Sequence, residues 1–199
     1  MSKKKLLFVA PTSQLKAGGE ISHFELLLAA KKRGYDVWIV IRAFGELARE
    51  LKKHSIQYRI IPFNYWYDAT PYDTESKQNF ESILKIQQLI TKEKFDCVIT
   101  NTFNMPWGAI AAAMANVPHI WIAREYPAYN SRYLVGKYNF VKSFSNLIIA
   151  NSKALAHFMQ ADYGLKTAYF YSYVTSKNLH SQRNWKKHPV LLALGISSR

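Results

Sequence analysis

The chain is 199 residues long, 49% hydrophobic and strongly basic, with a formal net charge of +14 and one cysteine, Cys97. That length fits one domain with a large core plus at most an appendage, and a lone cysteine excludes an internal disulfide framework. No apolar run reaches the roughly 20 residues that span a bilayer, and the apolar stretch near the N-terminus is too short for a secretory signal, so a reducing, cytoplasmic setting is expected.

The charge is uneven. Residues 1–125 carry 17 Lys and Arg against 12 Asp and Glu, whereas residues 126–199 carry 10 against the single Asp162. Phosphate, anionic lipid or nucleic acid would suit that second part, although a basic surface without a ligand also accounts for it.

In chain order, residues 5–10 read as an apolar strand running into a flexible loop that ends in Gly18-Gly19. A helix is expected from Glu20, with Ile21, Phe24, Leu27 and Leu28 on one face and Lys31-Lys32-Arg33-Gly34 as its stop. A second strand follows at 36–41. This is a βαβ unit whose crossover loop feeds a helix N-terminus, where free amides and the helix dipole suit an anion such as phosphate. The loop has neither G-x-G-x-x-G nor a Walker pattern. The glycine pair also has a plainer reading, a turn with positive φ.

The alternation continues with a helix at 44–53, a strand at 57–62, a polar and aromatic loop, a helix at 76–92 and a strand at 95–100. Cys97 lies in that last apolar run and reads as a small buried side chain. An alanine-rich helix at 105–116 is small enough to pack close to a sheet. A strand at 118–123, a helix at 133–144 and a strand at 146–150 follow. Asn151-Ser152 then cap a helix at 153–160 before a last strand near 167–171. The pattern predicts an α/β fold, a Rossmann-like, doubly wound, mainly parallel sheet of six or seven strands in residues 1–171. Residues 172–188 read as a polar, basic linker, and 189–199 as the first strand of a further domain.

These motifs, in this order, resemble the N-terminal domain of GT-B glycosyltransferases of the family 4 type. The matching pieces are the glycine pair with Glu20, Arg33-Gly34-Tyr35-Asp36-Val37, the run from Phe95 to Thr102, the run from Asn116 to Glu125, and the run from Asn146 to Lys153. The resemblance implies one half of a two-domain enzyme. Such an enzyme transfers a sugar, with retention, from a nucleotide-sugar donor to a glycan, lipid-linked or other acceptor, without metal or cofactor. It also implies that the donor-binding E-x7-E motif belongs to the second domain. That motif is not found here, so residues 1–199 alone are expected to be inactive. An anionic membrane surface on the cytoplasmic side is a further expected partner.

On this resemblance Gly18 and Gly19, with Glu20 behind them, face the donor pyrophosphate. Asn101 and Thr102 end the fourth strand, and Arg124 and Glu125 follow the fifth, the ends at which ligands sit in open α/β sheets. A buried arginine there must be satisfied by Glu125 or by a ligand. Many relatives carry a histidine after one of these strands; here the positions hold Thr100-Asn101-Thr102 and Ile122. A front-side mechanism, in which the departing phosphate takes the acceptor proton, needs no protein base. His23 reads as a surface or capping group and His119 as a strand residue, neither of them catalytic. Tyr65 and Trp66, and Tyr126, Tyr129 and Arg132, form two aromatic clusters suited to a sugar or a lipid headgroup layer. Two other functions fit less well. A nucleic-acid-binding module would need its bases on one face, yet Lys31–Arg33 and Lys52-Lys53 sit at helix ends. A non-catalytic ligand-binding domain is compatible with the fold alone.

Overall fold

The computed structural model describes residues 3–65, 73–124 and 132–171, with the side chains of 73–75 and 132–137 excluded. The expected linker and the strand at 189–199 lie outside the described residues.

The first half of the described chain contains β1 (Lys5–Val9), α1 (Gly18–Lys32), β2 (Asp36–Ile41), α2 (Glu46–Lys53), β3 (Gln57–Ile60) and α3 (Asp73–Glu93). The second half contains β4 (Cys97–Asn101), α4 (Trp107–Met114), β5 (His119–Ala123), α5 (Arg132–Phe144), β6 (Leu147–Ala150), α6 (Lys153–Tyr163) and β7 (Ala168–Tyr169). All seven strands pair in parallel, in the order β3-β2-β1-β4-β5-β6-β7. The expected fold class is therefore present, with strand and helix ends shifted by a few residues.

Period-two alternation along β1 assigns its side chains to the two faces of the sheet. Leu7 and Val9 pack with Ile86 and Ile90 of α3 and with Ala111 and Ala112 of α4. Phe8 and Ala10 pack with Leu27 of α1 and with Leu47 and Leu51 of α2. Burying each such Leu or Ile contributes roughly 1.5–3 kcal/mol, so a strand sandwiched in this way is held from both sides. A third cluster joins Trp121 and Ile148 to Tyr138 and Val141 of α5 and to Leu155 and Met159 of α6. Ser152 caps α6 by accepting the Leu155 amide at 3.2 Å, as expected of that residue.

Three expectations change. The first helix opens at Gly18 rather than Glu20, and neither glycine of the pair has positive φ, so the turn reading of the pair is overturned. The reason is Glu20: as the third helical residue it accepts the amides of Lys16 and Ala17, each at 2.8 Å, and stabilises the helix start on its own. This is the carboxylate half of a capping box, since Ala17 has no side-chain oxygen to return the bond. His23 is not on the surface but 3% exposed, packed on Phe8 with ring centroids 5.7 Å apart. Finally, the loop before α1 is fastened rather than flexible. Ser13 Oγ accepts the Ala43 amide at 3.0 Å, the Ser13 carbonyl accepts the Leu47 amide at 3.0 Å, and Thr12 donates to Glu20 at 2.5 Å.

The basic helix ends serve the fold. Lys31 Nζ donates to the carbonyls of His54 at 2.5 Å and Ser55 at 2.8 Å, joining the end of α1 to the end of α2, where cations are favoured.

Candidate functional site

The strand order reverses between β1 and β4: the chain winds outward from β1 through β2 and β3, then returns to the other side of β1. At such a switch point the loops diverge and leave a crevice beyond the carboxyl ends of the strands. The N-terminus of α1, the end of β4 and the end of β5 all meet there.

Arg124 is the residue that joins them. It follows β5, half-buried, and its Nε donates to Asn101 Oδ1 at 2.5 Å. Its Cδ lies 3.6 Å from where a Cβ on Gly19 would stand, so the side chain is laid across the first turn of α1. Asn101 is thus a partner of Arg124 beyond the two expected from the sequence, Glu125 and a ligand, and it is brought there because Asn101 pairs with Ile122 across β4 and β5. Glu125 itself lies outside the described residues.

Thr102 holds its backbone at φ 82°, a left-handed conformation rare for a β-branched residue and associated with functional sites. Its amide donates to the Ile122 carbonyl at 2.9 Å and its carbonyl accepts from Trp121 Nε1 at 2.7 Å, while its side chain is buried. Thr102 therefore shapes the end of β4 rather than offering a free hydroxyl. Thr100, two residues earlier, is also buried, with Oγ1 2.8 Å from His119 Nε2.

The electrostatics favour an anion. The amides of Gly18 and Gly19 lie in the first turn, where no carbonyl of the helix can accept them, and the positive end of the dipole adds to the Arg124 charge. Burial opposes ionisation of Glu20, but hydrogen bonds from Ala17, Thr12 and Lys16 outweigh it and hold the carboxyl below its usual range. Glu20 is thus an anion committed to the helix start. Burial, aided by the Arg124 charge, pushes His23 down to about 3, and burial pushes His119 to about 3, so both are neutral imidazoles. Burial also raises the Cys97 thiol to about 11, in keeping with an inert side chain.

Of the aromatic residues expected at the site, Tyr65 donates its hydroxyl to the Pro11 carbonyl at 2.8 Å and stacks under Arg42, whose Cζ is 4.9 Å from the ring. It borders the loop that enters α1. Trp66, Tyr126 and Tyr129 lie outside the described residues; Arg132 opens α5, and its side chain is not described. Sequence reasoning placed His23 on the surface and passed over Arg42 and the buried Ser13. His23 precedes Leu27 by four residues and so shares its buried face, a signal that was present. Among the described residues no group of three His, Cys, Asp or Glu could hold a metal ion, and no helix is long and apolar enough to cross a membrane.

The profile described as Glycosyltransferase Family 4 matches residues 17–169. No curated protein matches the chain. Among solved structures, a glycosyltransferase from Rickettsia africae is 20% identical with a TM-score of 0.66, covering 86% of this chain and 43% of its own. Anabaena Alr3699/HepE in complex with UDP-glucose is 20% identical with a TM-score of 0.65, covering 96% of this chain and 50% of its own. UDP-N-acetylglucosamine 2-epimerase from Rickettsia bellii is 18% identical with a TM-score of 0.59, covering 86% and 45%. The chain thus spans about half the length of the solved structures it matches, and these likenesses establish a shared Rossmann-like half of the GT-B architecture.

Proposed function

The chain belongs to glycosyltransferase family 4, and on that premise we propose that it is the acceptor-side half of a retaining, metal-independent glycosyltransferase that uses a nucleotide sugar. The observation that carries this reading is the placement of Arg124 across Gly19 at the switch point, with Asn101 fixing its Nε. Arg124 and the first-turn amides of α1 face one crevice, so a diphosphate entering it meets a full positive charge and aligned N–H donors.

In the reaction the bond between the sugar C1 and the donor phosphate oxygen breaks, and the acceptor oxygen bonds to C1 on the same face. The acceptor proton passes to the departing phosphate oxygen. Negative charge grows on the diphosphate as that bond breaks, and groups already aimed there stabilise the transition state more than the ground state. His23 and His119 are buried and neutral, and this scheme calls on neither of them as a base. The donor class is supported by the UDP-glucose complex of the Anabaena protein. The acceptor is a glycan or lipid-linked molecule, met on the side of Tyr65, with an anionic membrane surface as the favoured setting for the excess of Lys and Arg in residues 126–199.

The test is turnover of UDP-sugars, with EDTA present, by the protein expressed from its full reading frame and by residues 1–199 alone. The full protein is expected to be active and the 199-residue chain inactive. Arg124→Ala should lower kcat/KM by about 100-fold, the usual loss for one donor to a developing oxyanion, whereas Lys52→Ala, on the exposed side of α2, should leave it close to normal. Equal losses in the two variants would remove Arg124 from the site.

A further inference from the structure

Phe170 follows β7 between two exposed tyrosines, Tyr169 and Tyr171, and alone of the three turns inward. Its amide donates to the Ala150 carbonyl at 3.0 Å, which aligns it with the end of β6, and its ring packs on the cluster that holds Phe8, Leu27 and Ile122. From there the ring reaches Arg124, whose Cζ stands 6.0 Å from the ring centroid. The guanidinium is therefore bounded by Asn101 at Nε, by the backbone of Gly19 along its stem and by an aromatic ring beyond its head.

We infer that Phe170 is a positioning residue that keeps the Arg124 guanidinium at the N-terminus of α1. An arginine has several rotatable bonds, and the hydrogen bond from Nε to Asn101 is one of the contacts that set where its head lies. A ring at the outer reach of a cation–π contact restricts the head and costs no ligand-binding donor, since it occupies none of the guanidinium N–H groups. This inference rests on the reading of Arg124 as a diphosphate-binding group; the contact itself is tested without any transfer reaction.

The experiment is 15N NMR of the arginine side chains in the 199-residue protein, with the Arg124 Nε–H resonance identified by its loss in Arg124→Lys. In the native protein this resonance should be displaced from those of exposed arginines and exchange slowly with water. Phe170→Met, which keeps apolar volume but removes the ring, should speed that exchange by roughly two- to fivefold, the effect of losing a contact of this class. Phe170→Trp should preserve the slow exchange. Should Phe170→Met fail to fold, the reciprocal variant Arg124→Met, which leaves the Phe170 packing in place, must shift the Phe170 ring protons. An unchanged Arg124 resonance in Phe170→Met, or unchanged Phe170 ring protons in Arg124→Met, overturns the inference. A loss of transfer activity in Arg124→Ala concerns the function of Arg124 and is read separately.

Discussion

The indole N–H of Trp121 donates to the carbonyl of Thr102 at 2.7 Å from a ring that is fully buried. Thr102 is the residue at φ 82°, so a core tryptophan on β5 holds a strained turn at the end of β4, next to Asn101. Strain of this kind costs on the order of 1–3 kcal/mol and survives only where neighbours over-determine it. Trp121 also packs edge-on against Phe103 and His119, at 5.6 and 5.3 Å between ring centroids. Trp121→Phe should therefore destabilise the protein by about 2 kcal/mol, because it removes the hydrogen bond to the Thr102 carbonyl and opens a void together. Urea unfolding measures it, and a change below about 0.5 kcal/mol, the range of ordinary surface substitutions, would show that Thr102 is held by something else.

Gly108 lies in the first turn of α4, where a Cβ would stand 2.5 Å from Thr100 Oγ1 and 2.9 Å from Val9 Cγ2. Both neighbours are fully buried strand residues, and Thr100 is also bonded to His119. Gly108→Ala gains up to about 1 kcal/mol of helix propensity but must push α4 off the sheet, and overpacking costs about 1–3 kcal/mol. A net loss of about 1–2 kcal/mol is expected from thermal or urea unfolding. A stabilised variant would mean that α4 is not seated on Val9 and Thr100 as described.

Acid should weaken the fold well above the carboxylate range. His23 and His119 are held near 3 in the folded protein by burial, with Arg124 adding to the effect on His23, against an ordinary value of 6.5. Below pH 6.5 the unfolded chain binds protons that the folded chain refuses, so their contribution is complete above that value and is lost as the pH falls towards 3. The slope approaches about 1.4 kcal/mol per pH unit for each histidine. Unfolding free energies at pH 7.5 and 5.5 should differ accordingly, and His23→Leu should reduce the difference by about half. A pH-independent stability over that interval would mean that the two imidazoles take up protons in the folded protein as readily as in the unfolded chain.

Much of this was legible in the sequence because parallel strands buried on both faces read as continuous apolar runs, as residues 36–41 and 97–101 do. The alanine-rich run at α4 announced a close approach to the sheet for the same reason that Gly108 now requires it. Glycine, by contrast, reads as loop from propensity alone, so the start of α1 was placed two residues late. Glu20 at the third helical position was the cue that outweighed it. The bond between Arg124 and Asn101 could not be read from the chain. Its partners are 23 residues apart in sequence and meet only through the register that sets Asn101 opposite Ile122. Phe170 gave no signal at all, since an aromatic after an edge strand looks the same whether it meets solvent or a guanidinium.

The sharpest test of the crevice uses Gly18. A Cβ there would meet no atom within 4 Å, and its φ is not positive, so neither packing nor backbone geometry requires glycine. Alanine is also the better helix former, so Gly18→Ala should leave the melting temperature unchanged or raise it, by at most about 1 kcal/mol in stability. What glycine offers at this place is the close approach of an outside group to the first-turn amides, which a methyl would keep at a distance. In the protein expressed from its full reading frame, Gly18→Ala should raise KM for the nucleotide sugar by roughly tenfold, equivalent to about 1.4 kcal/mol of lost binding. Gly19→Ala differs, because its methyl would touch Arg124 at 3.6 Å and disturb the guanidinium as well, so a fall in kcat should accompany the rise in KM. A Gly18→Ala enzyme with normal stability and normal KM would mean that no phosphate comes near these amides, and the donor would have to bind elsewhere along the crevice.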